Sequence, residues 1–108
     1  MVNMGKYLVD FKNINWESVY TGQREKAYVE GNRRIRLVEL SDEYAEEDWC
    51  EKEHWGYVLE GRISILFNET SVTFNKGDGM FIPEGEQNRH KGRIAKGEKV
   101  LMLFVEEC

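Results

Sequence analysis

Cysteine is nearly missing from this chain, with Cys50 and Cys108 the only two in 108 residues. Two thiols so far apart exclude a disulfide framework and a Cys-x-x-Cys redox motif, and they suit a reducing compartment. Long apolar runs are also missing: nothing approaches the roughly 20 consecutive apolar residues of a membrane-spanning helix. The start, Met1 to Lys12, lacks the apolar segment of a secretory signal, so the expected location is the cytoplasm, away from membranes. The formal net charge is −5, and the arginines are scattered with no aromatic-interleaved stripe, which argues against nucleic acid as a partner. Gly-x-Ser-x-Gly and the glycine-lysine phosphate loop do not occur, which sets aside serine-hydrolase and phosphate-loop chemistry. Internal repeats and low-complexity segments do not occur either.

What is present is enough for one core. Hydrophobic residues make up 41% of the chain and three tryptophans are among them, against 32% charged residues. The expectation is a single domain over 1–108, with an N-terminal arm and edge strands over 1–24 and a barrel over 25–108. Short runs separated by turn signals point to an all-β fold. Ala27 to Val29 and Arg34 to Leu40 flank Glu30-Gly31-Asn32-Arg33, whose Gly-Asn pair suits a tight hairpin. Trp55 to Leu59 and Arg62 to Phe67 flank Glu60-Gly61 and predict a second hairpin, with Ile63, Ile65 and Phe67 on its buried face. Val72 and Phe74 alternate with Ser71 and Thr73 before the loop Asn75 to Gly79, and Met80-Phe81-Ile82 follows. The last strand, Lys99 to Glu106, is apolar on both parities and should be covered on both faces.

Ser41 to Glu53 is less regular. It is rich in helix formers, and Ser41 with Asp42 and Glu43 would cap a helix on which Cys50 and His54 are i, i+4 neighbours. Its apolar stripe, Tyr44, Ala45 and Trp49, is thin, and the strand-like Trp55 to Leu59 follows at once, so an irregular loop entering a strand is expected. The acidic run Glu43, Glu46, Glu47, Asp48, Glu51 and Glu53 reads as a solvated face.

Two segments resemble the paired motifs of the cupin superfamily, written G-x5-H-x-H-x3-4-E-x6-G and G-x5-P-x-G-x2-H-x3-N. Gly77 to Gly85, with Pro83 between, reproduces G-x5-P-x-G, and Glu53-His54-Trp55-Gly56-Tyr57-Val58-Leu59-Glu60-Gly61 resembles the end of the first motif. Only Arg62 to Lys76 separates them, as in compact cupins. The resemblance covers Asp42 to Gly92 and implies a double-stranded β-helix, a jelly-roll barrel with its functional site inside.

The metal-ligand positions depart from that pattern. Counting back from Gly61, the motif glutamate falls on His54, the second histidine on Cys50 and the first on Asp48; in the second motif the histidine falls on Asn88 and the asparagine on Gly92. A metal site therefore rests on the chemistry of the residues present. Asp48, Cys50 and His54 share one parity, as do Asn88 and His90, so in extended backbone each set shares a face. Carboxylate, thiolate and imidazole are good ligands for a borderline divalent ion such as zinc, iron, manganese or nickel, and Asn88 is a weak one. Both histidines of the chain lie in these segments. The same residues also suit a hydrogen-bonded interior cluster with no metal.

Two functions follow from different classes: a small divalent-metal enzyme acting on a small molecule, or a non-catalytic barrel that binds a small ligand without metal. Trp49, Trp55 and Tyr57 lie on the parity opposite to the site. Together with the outer side of the last strand they predict an apolar surface, covered either by a second subunit in a homodimer or by Tyr7, Leu8, Val9, Phe11 and Trp16 of the same chain.

Overall fold

A computed structural model describes residues 7–107; Cys108 and the first part of the Met1–Lys12 segment lie outside them. A single turn of 3₁₀ helix, Phe11–Asn13, leads into eight strands: β1 Glu17–Tyr20, β2 Gln23–Glu30, β3 Arg33–Ser41, β4 His54–Leu66, β5 Ser71–Asn75, β6 Gly79–Ile82, β7 Lys91–Arg93 and β8 Lys99–Glu107. Every pairing is antiparallel. One sheet runs β1-β2-β3-β8 and continues through the first half of β4 to β6, while the second half of β4 pairs with β5 and β7. The sheets share β4 and curl into an all-β jelly-roll barrel. No described helix is long and apolar enough to cross a membrane.

The hairpin at Gly31 forms as its residues require. Glu30 pairs with Arg33 across a two-residue turn in which Gly31 takes φ +61° and Asn32 does not turn positive.

The second hairpin does not form. The residues from Trp55 to Leu66 instead lie in one long strand, β4, with the Glu60-Gly61 signal inside it. Its register against β8 passes from Val58↔Met102 to Glu60↔Leu101, so Leu59 is an extra residue and the strand carries a β-bulge. One extra residue exchanges the inward parity. Val58 is buried before the bulge, whereas Ile63 and Ile65 are buried after it, and the strand thereby turns from one sheet into the other. Gly61 takes φ +77°, and a Cβ there would run into the Lys99 carbonyl of β8. A glycine in a bulge and a glycine in a turn leave the same mark in a sequence.

The core lies between the sheets and is built from alternate residues: Val38 and Leu40 of β3, Val58, Ile63 and Ile65 of β4, Met80 and Ile82 of β6, and Val100, Met102 and Phe104 of β8. Inward parity also brings charge inside. Glu106, only 7% exposed, accepts from Arg34 at 3.0 Å and from Arg36, and Arg36 Nη1 reaches Glu25 at 2.9 Å.

On the outer face, β8 presents Leu101 and Leu103, half-buried, and Val105, exposed. Trp55 stacks on Phe81 with centroids 5.5 Å apart and both rings exposed, and Tyr57 is exposed beside Leu103. Tyr7, Leu8 and Val9 border a groove with Tyr28, Ile35 and Val105, so the N-terminal segment covers one end of this face.

Candidate metal centre

After Ser41, which ends β3, the segment through Glu53 is an irregular loop, as its thin apolar stripe predicts, and it touches its neighbours at two isolated bridges, Ala45↔Arg93 and Cys50↔His90. At the second, the Cys50 amide donates to the His90 carbonyl and the His90 amide to the Cys50 carbonyl, both at 2.9 Å. This double bond fixes the two side chains relative to each other. His54 opens β4 and is held by its pairing with Ile82 of β6.

The ligand atoms of Cys50, His54 and His90 all lie within 4.8 Å of one another. Cys50 Sγ is 3.8 Å from His54 Nε2, and the two imidazoles meet edge to face at 5.0 Å between centroids. Phe104 lies 5.4 Å from His54 and Phe67 lies 6.1 Å from His90, so aromatic rings wall the cluster. The neighbouring imidazoles, His54 first and then His90, draw the Cys50 thiol down to about 6 against the opposing effect of burial. For His90, burial favours the neutral ring, but the neighbouring Cys50 and the Asn88 carbonyl prevail and hold it above the ordinary histidine value.

The His90 ring is oriented by its own backbone. Nδ1 lies 2.9 Å from the Asn88 carbonyl, which accepts only, so Nδ1 carries the proton and Nε2 of the neutral ring keeps its lone pair. That Nε2 is buried and has no hydrogen-bond partner, and the same holds for His54 Nδ1. A buried lone pair without a donor, beside a depressed thiol and a second imidazole, is the donor set a divalent ion requires. The backbone bond at Nδ1 fixes the ring's orientation and tautomer, as the free nitrogen's hydrogen bond does at metal-binding histidines. One sulfur and two nitrogens around one zinc-like ion stand ~3.3–3.6 Å apart given ligand bonds of ~2.0–2.3 Å, so the cluster needs to contract by at most about 1.5 Å.

His54 and His90 also line a cavity of about 70 Å³ that reaches into the barrel. Its apolar wall includes Val38, Leu40, Ile63, Ile65 and Met80, and its polar wall Gln23, Arg36, Tyr44 and Glu46.

The barrel, with its site at the mouth between the sheets, matches solved structures over nearly its whole length. RemF, a polyketide cyclase from Streptomyces resistomycificus, aligns over 94% of this chain and 78% of its own at TM-score 0.78 and 21% identity. A cupin-2 domain protein from Shewanella frigidimarina aligns over 98% of this chain and 100% of its own at TM-score 0.64 and 23% identity. The chain has the cupin fold. An Fe(II)-bound HppE in complex with an alternative substrate aligns over 98% of this chain and 62% of its own, at TM-score 0.72 and 15% identity. At the level of sequence, no family model and no curated protein matches the chain.

Within this cupin barrel the five residues singled out from sequence separate. Cys50, His54 and His90 come together. Asp48 does not join them: the chain bends at Glu47 and Asp48, and Asp48 is exposed on a surface groove with Tyr20 and Glu47. Asn88 ends a 3₁₀ turn, Glu86–Asn88, and what it brings to the cluster is its backbone carbonyl. Parity fails at both places because it holds only in extended backbone. Glu46, within the acidic run, turns inward instead of facing solvent, while Arg89 and Lys91 lie over the Trp49 ring at 4.6 and 5.0 Å. Arg36 was legible from its alternation with Val38 and Leu40; Glu46 had no such signal, because its loop has no period.

Proposed function

We propose that this barrel is a small divalent-metal enzyme in which the Cys50 thiolate, His54 and His90 hold the ion at the edge of the interior cavity. The observation that carries the reading is the buried, unpartnered His90 Nε2 beside a thiol already drawn toward its ionised form. A bound ion of the zinc or iron class would supply Lewis acidity toward an oxygen or nitrogen of a small molecule. The chain's own residues do the rest. The Asn88 carbonyl keeps the His90 proton on Nδ1, the Cys50–His90 bridge sets the spacing, and apolar side chains line one wall of the cavity. Three protein ligands leave a coordination position for substrate, as in catalytic rather than structural sites. The enzymatic reading draws support from neighbours of the same fold, a cyclase and an Fe(II) protein among them.

Elemental analysis of protein purified without chelator tests this. Near one equivalent of a divalent metal is expected, lost in the Cys50→Ala, His54→Ala double variant. A folded, metal-free protein from metal-replete cells would instead favour a ligand-binding barrel that needs no metal.

A further inference from the structure

The cavity has a second polar corner, on the wall that the irregular loop supplies. Glu46 Oε1 accepts the Gly92 amide at 2.9 Å. Gly92 is buried, and a Cβ there would stand 3.2 Å from Ile63 Cδ1 and 3.4 Å from Glu46 Oε1, so glycine at this position leaves the carboxylate its seat. Tyr44 stands beside it, its phenol held above the usual range by burial and then by the Glu46 carboxylate. The tyrosine therefore stays neutral, and Gln23 adds an amide to the same wall. Among the described residues no lysine or arginine forms an ion pair with Glu46, although its charge acts on the His90 ring across the cavity.

The cation on the cavity wall is in the opposite condition. Arg36 is held by Glu106 and by Glu25, the latter at 2.9 Å, and its charge is matched before any ligand arrives. Away from an ion at the other end of the cavity, an incoming carboxylate or phosphate would meet a neutralised arginine and a glutamate with no lysine or arginine partner, whereas a hydroxyl or amine would find an acceptor.

We propose that the Glu46 corner of this cavity takes the part of a small ligand that presents a hydroxyl or amine, and that carboxylates and phosphates are not held at that corner. A cavity of about 70 Å³ limits the recognised part to a few non-hydrogen atoms. The proposal builds on the metal-enzyme reading by naming the substrate class of the same cavity, but recognition at Glu46 is measured without turnover.

The test follows the Gly92 amide by nitrogen-resolved NMR while ethylene glycol, methylammonium and acetate are titrated separately into the full chain in the presence of chelator, with metal content measured on the same preparation before chelation. Ethylene glycol and methylammonium should shift Gly92 saturably, and acetate should bind at least roughly tenfold more weakly, the scale of one charge-assisted hydrogen bond. Glu46→Gln keeps an acceptor for Gly92 and offers N–H donors to the cavity, so it should weaken the donor probes by a similar factor and bring acetate level with them. Tyr44→Phe, which keeps the carboxylate, should retain the wild-type order and serves if Glu46→Gln does not fold. The proposal is overturned if acetate binds the wild type as tightly as the donor probes. It is equally overturned if neither donor probe shifts Gly92 at its highest soluble concentration, or if the order survives in folded Glu46→Gln. Protein that carries no metal as purified yet prefers the donor probes overturns only the metal reading; protein that carries metal as purified and prefers acetate once stripped overturns only this one.

Discussion

Cys50 and His90 are joined by two reciprocal backbone hydrogen bonds of 2.9 Å, so a residue of the irregular loop and a residue at the entry to β7 move as one unit. The bridge places the thiol and the imidazole at one end of the cavity and His54, four residues on, closes the triangle.

The first expected outcome concerns that thiol. With its pKa drawn down to about 6, Cys50 is mostly thiolate at neutral pH in metal-free protein, and its reactivity is lost as pH falls through that value. Alkylation in the presence of chelator should therefore show a midpoint near 6, well below the ~8.5 of a free cysteine. Metal-loaded protein should react slowly across the range, because a coordinated thiolate is protected. A midpoint above 8, or equal rates with and without chelator, contradicts the arrangement described.

Much of this was legible from alternation. Ile63 and Ile65 are buried on the face their spacing indicates, and the Gly31 hairpin and the loop before β6 lie where their residues place them. The continuity of β4 was not legible, because Glu60-Gly61 suits a bulge as well as a turn and only the approach of Lys99 decides between them. Asp48 and Asn88 were set on the cluster's face by a parity that bends at 47–48 and the turn at 86–88 interrupt. Glu46 turns inward for a tertiary reason, the free amide and the missing side chain of Gly92.

A matched pair of substitutions tests the account of β4. Gly61 and Gly97 have similar φ values, +77° and +80°, but a Cβ at Gly97 meets nothing within 4 Å whereas one at Gly61 meets backbone of β8. Gly97→Ala should cost about 1 kcal/mol, from backbone strain alone, and Gly61→Ala at least about 2 kcal/mol more because β8 must shift. Urea denaturation measures both, and equal losses would mean that the close approach to β8 does not constrain the bulge.

Glu106 holds Arg34 and Arg36 inside the barrel, so Glu106→Ala leaves two guanidinium groups with one remaining carboxylate, Glu25. Removing one partner of so enclosed a network should lower stability by about 3 kcal/mol in urea denaturation. A loss below about 1 kcal/mol would show that water reaches these groups and that the network contributes little.

The exposed Trp55–Phe81 stack, with Tyr57 beside Leu103, is the surface on which we propose that a second copy docks, since the N-terminal segment covers only the far end of that face. Sedimentation equilibrium at micromolar concentration should give a mass near twice 12.7 kDa, and charged residues at Tyr57 and Leu103 should split the dimer without loss of fold. A mass near 12.7 kDa for the wild type contradicts the dimer.

The central claim is that Cys50, His54 and His90 together hold one divalent ion, and X-ray absorption at the metal edge tests it most directly. In Cys108→Ala protein Cys50 is the only thiol. The account predicts one sulfur neighbour at about 2.3 Å, nitrogen or oxygen neighbours at about 2.0–2.1 Å including imidazole scattering, and loss of the sulfur shell in Cys50→Ala. A bound metal surrounded only by oxygen and nitrogen, unchanged by Cys50→Ala, would contradict it.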